Sequence, residues 1–396
     1  MLKYSCNPFF IYGLSFSLIL ILLSFGISNL YYLEYNSLLI FVLFTIILSF
    51  FIGYILRFYI SIKIQRSFNI LKEVGVFNCI SIVAILFTLF LLDCISVGVI
   101  PIIEVLKGNT YRYMDFGVPL LHAFLIIYTC MICFAYFIRY LKFSSKRYLF
   151  VMLFALFLPI CFINRQVFIY EVIGLIILYF TYIKKINFTR IFKFFSIFLL
   201  VSIFFSAVGN YRTVSDSQGT VDGSSSLITG LLDVNTKYMP DFFSWPYAYI
   251  VTPYGNLQYN YKYMSKNEYG YSDFSKAVRL EIFPDFLSRR FVSEYDENDA
   301  KPMLILEAFN VVTGYAEIYV IYGVYGLILY FLYFSFVMII FIIFMPVRGF
   351  FISLAGLCAT TYLITYSNML YQQTQILFPI AVAIFTKFRF GNFRFV

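Results

Sequence analysis

Residues 324–345 read VYGLILYFLYFSFVMIIFIIFM, which is a run of apolar and uncharged side chains long enough to matter for the fold. A helix needs about 20 such residues to cross the hydrocarbon core of a bilayer. Similar segments recur along the chain, whose 396 residues are 62% hydrophobic and only 12% charged. This composition excludes a soluble globular fold of that length and predicts an all-α, polytopic helical integral membrane protein.

Apolar segments of spanning length predict about ten transmembrane helices. We place them at residues 8–28, 37–58, 77–98, 117–138, 148–163, 167–183, 191–208, 315–345, 350–367 and 371–387. The first segment has no small-residue cleavage site, so we expect a retained anchor and not a cleaved signal peptide. The eighth is long, and we expect it to start with a half-buried turn.

The hydrophilic stretch 209–310 divides the chain into an N-terminal bundle (1–208, about seven spans), a loop domain (209–310) and a C-terminal group of about three spans (311–396). The loop domain contains 9 basic and 13 acidic residues, a net charge of −4, which leaves +13 for the rest of a chain whose net charge is +9. Lys and Arg are concentrated in alternate connections, which the positive-inside rule assigns to the cytoplasm. We therefore expect cytoplasmic termini, an external loop domain and no affinity for nucleic acid.

The loop domain is predicted to be helical or irregular. Pro240, Pro246, Pro253 and Pro284 are expected to break it into short helices, and no alternating pattern indicates strands. It holds 11 Tyr and the only Trp, Trp245. Such side chains combine an apolar face with a hydrogen-bonding rim, which suits sugar rings. An aromatic belt at the lipid headgroups explains the same composition equally well.

Arginines on the external side are candidate phosphate ligands, because guanidinium binds phosphate through two hydrogen bonds and keeps its charge. Arg165 lies in a tight turn between two spans, and Arg212 follows the seventh span. Both positions run against the positive-inside rule, which favours a functional role over a contact with headgroups or an acid. For Arg289 and Arg290 the two explanations are equally favoured.

Ionisable residues inside spans need a partner or a task, because burying charge in lipid is costly. Asp93 lies deep in the third span, and Glu171, in the sixth, is expected to pair with a nearby arginine. His122, the only histidine, is a candidate general base, although a lone histidine is more often a packed hydrogen-bonding residue. Glu317, at the start of the eighth span, is a comparable candidate for the base.

Motifs for bound cofactors are absent from the sequence. It has no P-loop and no His-Glu-x-x-His pair, so we expect neither a nucleotide site nor a metal site. Cys130 and Cys133 have C-x-x-C spacing, but they lie inside a span and are expected to be packed thiols. A donor substrate on the external side would then be lipid-linked, since no nucleotide-sugar site is indicated.

The whole chain resembles the O-antigen polymerases, the oligosaccharide repeat-unit polymerases of Gram-negative surface-polysaccharide pathways. The shared architecture is ten or more spans with a large periplasmic loop before the last few. The motifs that carry the resemblance are Asn164-Arg165 in a short external turn, Gly209-Asn-Tyr-Arg212, Gly314…Glu317-Ile-Tyr319…Gly323…Gly326, and Gly98-Val-Ile-Pro101…Phe116-Gly-Val-Pro119…His122.

This resemblance implies a membrane glycosyltransferase of the helical C type (GT-C) in the inner membrane, acting without metal or other cofactor. It would transfer a growing glycan from undecaprenyl pyrophosphate to the end of a single lipid-linked repeat unit, with a chain-length regulator as a further partner. Arg165, Arg212, Arg289 and Arg290 would hold the pyrophosphate. His122 or Glu317 would accept the proton, and the loop with Trp245 would carry sugars.

Three other functions compete with polymerisation. A polysaccharide flippase would show two similar halves with a site at the membrane midplane, and the sequence shows no such repeat. An O-antigen ligase has the same architecture and chemistry with a different acceptor, so the sequence barely separates the two. A structural scaffold is disfavoured by the external arginines.

Overall fold

The computed structural model describes residues 6–107, 116–183, 232–233, 243–264, 270–288, 301–307, 309–387, 389–390 and 393–394. Its helices are α1 (Pro8–Ser24), α2 (Ser37–Asn69), α3 (Val76–Val97), α4 (Pro101–Leu106), α5 (Pro119–Phe143), α6 (Lys146–Cys161), α7 (Arg165–Tyr182), α8 (Ser244–Tyr263), α9 (Tyr271–Ala277), α10 (Asp285–Ser288), α11 (Ala316–Phe344), α12 (Phe350–Leu363) and α13 (Gln373–Phe385). A π-helical turn, Val278–Ile282, continues α9, and a 3₁₀ turn, Val347–Gly349, precedes α12. Strands β1 (Arg389–Phe390) and β2 (Phe393–Arg394) pair antiparallel.

Within these described ranges, five helices are long and apolar enough to cross a membrane, namely α2, α3, α5, α7 and α11, and α1, α12 and α13 are shorter apolar helices. The protein is a helical membrane protein. Nine of the ten predicted spans coincide with helices, and the tenth, 191–208, lies outside the described residues. Every backbone N–H and C=O in a lipid-facing span must be satisfied internally, which is why apolar runs of this length become helices.

Asparagines begin three of the helices. The side-chain oxygen of Asn7 accepts from the N–H of Phe9 at 3.0 Å, and Asn36 and Asn164 cap α2 and α7 in the same way. Each cap satisfies an N–H that the first helical turn leaves without a partner. The Asn164 cap turns the chain sharply between α6 and α7, as the sequence predicted for this tight turn.

Lysine side chains donate hydrogen bonds to the C-terminal carbonyls of two helices. Lys63 Nζ donates to the carbonyls of Ile342, Ile343 and Met345 at the end of α11, at 2.7–3.0 Å. Lys142 Nζ likewise reaches two carbonyls at the end of α2, 2.7 and 2.8 Å away. A cation at a helix C-terminus complements the partial negative charge there. Two basic residues of the predicted cytoplasmic connections therefore also hold helix ends.

Helix α11 is interrupted at Gly323, whose backbone lies at φ 57° and ψ −144°. This conformation favours glycine, because a Cβ would be strained there. The break lets the first part of the helix fold against the second: a Cβ on Gly326 would lie 2.4 Å from the carbonyl oxygen of Ile318. Glu317 therefore lies on a short helical segment set off from the main part of α11. The sequence predicted a half-buried turn here, whereas most of residues 316–322 are buried.

The expectation that prolines would cut the loop domain into short helices is wrong for α8, which runs through Pro246 and Pro253 for 20 residues. Pro246 lies in the first turn, where its missing N–H has no intrahelical partner to lose. Pro253 removes one internal hydrogen bond. Packing offsets this cost, because 12 of the 20 residues are buried where α8 contacts α1 and α11.

Candidate functional site

Four segments meet at one end of the helical bundle, here named the α8 end. They are the α6–α7 turn (162–164), α8, the extended segment of residues 301–307 and 309–315, and the turn 364–372. Gln166 on α7 donates to Gln372 Oε1 at 2.7 Å. The N–H of Gly314 donates to the Ile364 carbonyl at 2.8 Å. These bonds join elements that are far apart in sequence.

The extended segment is held to α8 by two asparagines one helical turn apart. Asn256 Nδ2 donates to the carbonyls of Phe309 (3.1 Å) and Val311 (2.9 Å), and its Oδ1 accepts from the N–H of Ile305. Asn260 exchanges two hydrogen bonds with the backbone of Met303, at 2.7 and 2.8 Å. Both asparagines are fully buried. Their amides replace the partners that a neighbouring strand would supply.

A cavity of about 430 Å³ opens between these segments. Most of its wall is apolar, and Arg165 and Gln166 are the polar side chains of the α7 wall. The complete lining is Arg165, Gln166, Ile169, Ile173, Pro246, Tyr249, Ile250, Val311, Tyr362, Leu363, Tyr366, Ser367 and Met369. Its size falls within the range typical of small-molecule pockets.

Arg165 is the first residue of α7, so its guanidinium group and the positive end of the helix dipole coincide at this cavity. The side chain is exposed. Across the described residues, no carboxylate forms an ion pair with it. The expected pairing of Glu171 with an arginine is not seen in the same part of the chain: Glu171 is fully buried, its oxygens have no conventional hydrogen-bond partner, and Cys130 lies beside it.

Trp245 lies beside the cavity and does not line it. Its ring centroid is 6.1 Å from those of Tyr249, which does line the cavity, and Phe309. The indole is half-buried. This arrangement places an aromatic face at the edge of the cavity and leaves both earlier explanations, sugar contact and headgroup belt, open.

His122 has a buried carboxylate partner. Its Nδ1 lies 2.9 Å from Asp93 Oδ2, and Asp93 Oδ1 accepts from the N–H of Val118 at 3.2 Å. A proton on Nδ1 leaves Nε2 as the basic nitrogen of the neutral ring, an arrangement that orients a histidine for proton transfer. The ring of Phe162, in the α6–α7 turn, packs edge-on against the imidazole, with 5.3 Å between the ring centroids. The pair therefore lies at the α8 end, and His122 is the partner expected for Asp93 within a span.

Glu317, the second candidate base, is joined to a residue that sequence reasoning did not single out. Its carboxyl lies against that of Glu281 on the π-helical turn. Asn368 in the turn 364–372 donates to Glu281 Oε2 at 2.9 Å, and Tyr330 donates to Asn368 at 2.9 Å. Glu281 is buried and Glu317 is half-buried, and Asn368 joins Glu281 to the turn whose residues Ser367 and Met369 line the cavity.

The remaining predicted phosphate ligands, Arg212, Arg289 and Arg290, lie outside the described residues. All seven cysteines are buried. A search of the described part of the chain finds no group of His, Cys, Asp or Glu with the arrangement of a metal site.

Sequence reasoning missed Glu281, Asn256, Asn260 and Asn368. The Asn-x-x-x-Asn spacing of the first pair of asparagines, in a segment of high aromatic content, was a usable signal for two amides on one helix face. Glu281 and Asn368 carry no such local signal, because their pairing depends on the tertiary fold.

Comparisons with family models, with curated proteins and with solved structures give no match to this chain.

Proposed function

We propose that this protein polymerises undecaprenyl-pyrophosphate-linked oligosaccharide repeat units into O-antigen or a related surface polysaccharide, at the periplasmic face of the bacterial inner membrane. The observation that carries the proposal is the position of Arg165 beside an apolar cavity at the α8 end. A cation next to an apolar pocket matches a substrate with a pyrophosphate head and a hydrocarbon tail.

The apolar lining would bind the hydrocarbon tail, because burial removes its surface from water or headgroups. Arg165 and the positive N-terminal end of α7 would attract the pyrophosphate to the same cavity. Arg212, Arg289 and Arg290 complete this anion site in the proposal, on the strength of their sequence positions. Trp245 and Tyr249 offer aromatic faces for the attached sugars.

The reaction is a glycosyl transfer. The anomeric C–O bond to the donor pyrophosphate breaks, and its electron pair leaves with the undecaprenyl pyrophosphate. A hydroxyl of the acceptor repeat unit forms the new C–O bond and loses its proton to a base. Arg165 stabilises the charge that develops on the leaving group, where a fixed cation is most effective. His122, oriented by Asp93, is the proposed base, and Glu317 is the alternative.

The proposed topology has ten spans, a GT-C-like arrangement, cytoplasmic termini and a periplasmic loop domain. The support is the distribution of Lys and Arg in the sequence. Five described helices of spanning length are compatible with it. A chain-length regulator is the expected protein partner.

Substitution of Arg165 tests this assignment. A strain that carries Arg165→Ala is expected to display single repeat units in place of long chains, because the leaving group loses its cation. Arg165→Lys keeps the charge and loses the two-pronged geometry, so we expect shortened chains. Arg66→Ala, which removes an exposed arginine at the end of α2, is the matched control and should leave the ladder unchanged. Normal long chains from Arg165→Ala, at normal protein levels, would contradict the site.

A further inference from the structure

The carboxyls of Glu281 and Glu317 come from separate parts of the chain and meet at the α8 end. Glu281 is 5% exposed, and Glu317 lies in the first turn of α11. A hydrogen bond between two carboxyl groups requires a proton, because a carboxylate can only accept. Two neighbouring carboxyls at this degree of burial therefore favour a state in which at least one of them is protonated.

The side-chain amide of Asn368 forms hydrogen bonds on both of its sides, one of them to Glu281. Asn368 Oδ1 accepts from the hydroxyl of Tyr330 and from the N–H of Tyr371, so its Nδ2 must face the other way. That nitrogen donates to both the Oε2 and the backbone carbonyl of Glu281, at 2.9 and 3.0 Å. Glu281 thus links the π-helical turn to the turn 364–372 on one side and to α11 on the other.

Other contacts join the same elements. The N–H of Asp285 on α10 donates to the carbonyl of Tyr371 at 2.8 Å, and a Cβ on Gly314 would lie 3.1 Å from the carbonyl oxygen of Ser367. The turn 364–372 is therefore held tightly between the segment 278–288 and the start of α11. Because Ser367 and Met369 line the cavity, the position of this turn sets the shape of the cavity wall.

The titratable groups around the pair are Tyr330 on α11, Tyr371 on the turn 364–372 and Asp285 on α10. No lysine or arginine of the described ranges forms an ion pair with either carboxyl. Ionisation of both carboxyls would place two negative charges side by side, which is strongly unfavourable where the described residues supply no ion-pairing cation.

We propose that Glu281 is a positioning residue that shares a single proton with Glu317, and that this protonated pair holds the turn 364–372 in place as a wall of the cavity beside Arg165. Only the identity of the ligand that fills this cavity rests on the proposed function. The chemistry of the ligand is a prenyl chain bearing a pyrophosphate.

The pair makes the stability of this region depend on pH in one direction. Burial raises the pKa of the Glu281 carboxyl well above its ordinary value of 4.5, and the neighbouring Glu317 carboxyl raises it further. A carboxyl with a raised pKa binds its proton more tightly in the folded state, so stability is greatest below the ordinary pKa and falls as pH rises through the folded one. Over this window the unfolding equilibrium constant rises by up to about tenfold per pH unit.

The test uses the full-length protein in lipid nanodiscs, with thermal unfolding and the binding of farnesyl pyrophosphate measured in parallel from pH 5 upward. Wild type is expected to lose stability as pH rises and to lose affinity over the same range. Glu281→Gln keeps an oxygen for Asn368 and gains an N–H for the Glu317 carboxylate, so both profiles should flatten. Glu317→Gln should flatten them too. Glu307→Gln, an exposed residue in the adjacent segment, is the control and should reproduce the wild-type profiles.

The two readouts separate this inference from the proposed function. Flattened unfolding profiles in both glutamine variants, with affinity that follows stability, support the inference. If the unfolding of Glu281→Gln keeps the wild-type pH dependence, the inference is overturned, regardless of the binding result. Flattened unfolding profiles with no farnesyl pyrophosphate binding by any form would support the proton-sharing pair and count against the lipid pocket of the proposed function.

Discussion

Replacement of Gly117 by alanine is expected to destabilise the protein and to disturb the His122–Asp93 pair. Gly117 lies at φ +84°, and a Cβ there would come 2.9 Å from His122 Cβ and 3.0 Å from Asp93 Cγ. A left-handed backbone costs an alanine about 1–2 kcal/mol. The neighbouring atoms must also shift to avoid the new Cβ, and such overpacking usually costs a further ~1–3 kcal/mol of folding free energy. The sum is about 2–5 kcal/mol.

Gly98 provides a matched control in the same α3–α5 connection. Its φ is +80°, and a Cβ there would meet no atom of the described residues within 4 Å. Gly98→Ala should therefore cost only the backbone contribution of about 1–2 kcal/mol. The difference between the two variants isolates the contact with the His122–Asp93 pair.

Thermal unfolding of both variants in detergent measures this difference, and the length of the surface glycan measures its effect on activity. We expect a lower unfolding midpoint for Gly117→Ala than for Gly98→Ala, and shortened chains only for Gly117→Ala. Equal midpoints for the two variants would refute the close packing of Gly117 on the pair. Full-length chains from a folded Gly117→Ala protein would argue against His122 as the base.

Three further predictions concern the rest of the molecule. Asn256→Ala should lower the free energy of unfolding by about 2–4 kcal/mol, because it removes three hydrogen bonds to buried backbone groups; a change within error in chemical unfolding would show that segment 301–315 does not depend on it. A water-soluble maleimide should label none of the seven buried cysteines before unfolding, and rapid labelling of the folded protein would contradict their burial. A phosphatase fused after Ser224 should be active in the periplasm, and cytoplasmic signal there would invert the proposed topology.

The helices were predictable because membrane spans depend on length and apolarity, which are local properties of the sequence. The range 315–345 became α11, Ala316–Phe344, to within one residue at each end, whereas 37–58 became α2, which continues to Asn69. The extension of α2 to Asn69 runs past Lys63 and Arg66, because charged side chains can continue a helix beyond the apolar segment. Hydropathy therefore located the spans better than it located their ends.

The site was only partly predictable, because its key pairs join residues distant in sequence. His122 and Glu317 were identified as ionisable residues near helix ends, but their partners Asp93 and Glu281 depend on how helices pack. Within the described residues the expected Glu171–arginine pair is not seen, because closeness along α7 does not by itself bring two side chains together. The proline argument failed at Pro253 because tertiary burial of α8 outweighs one lost hydrogen bond.

The most direct test of the proposed function is a gel of surface glycan from a strain that lacks this gene, together with an analysis of its lipid-linked intermediates. Polymerisation predicts collapse of the ladder to the core plus one repeat unit, restored by the wild-type gene. Complete loss of the antigen would contradict it. Accumulated single units would then indicate a flippase, and accumulated long chains a ligase.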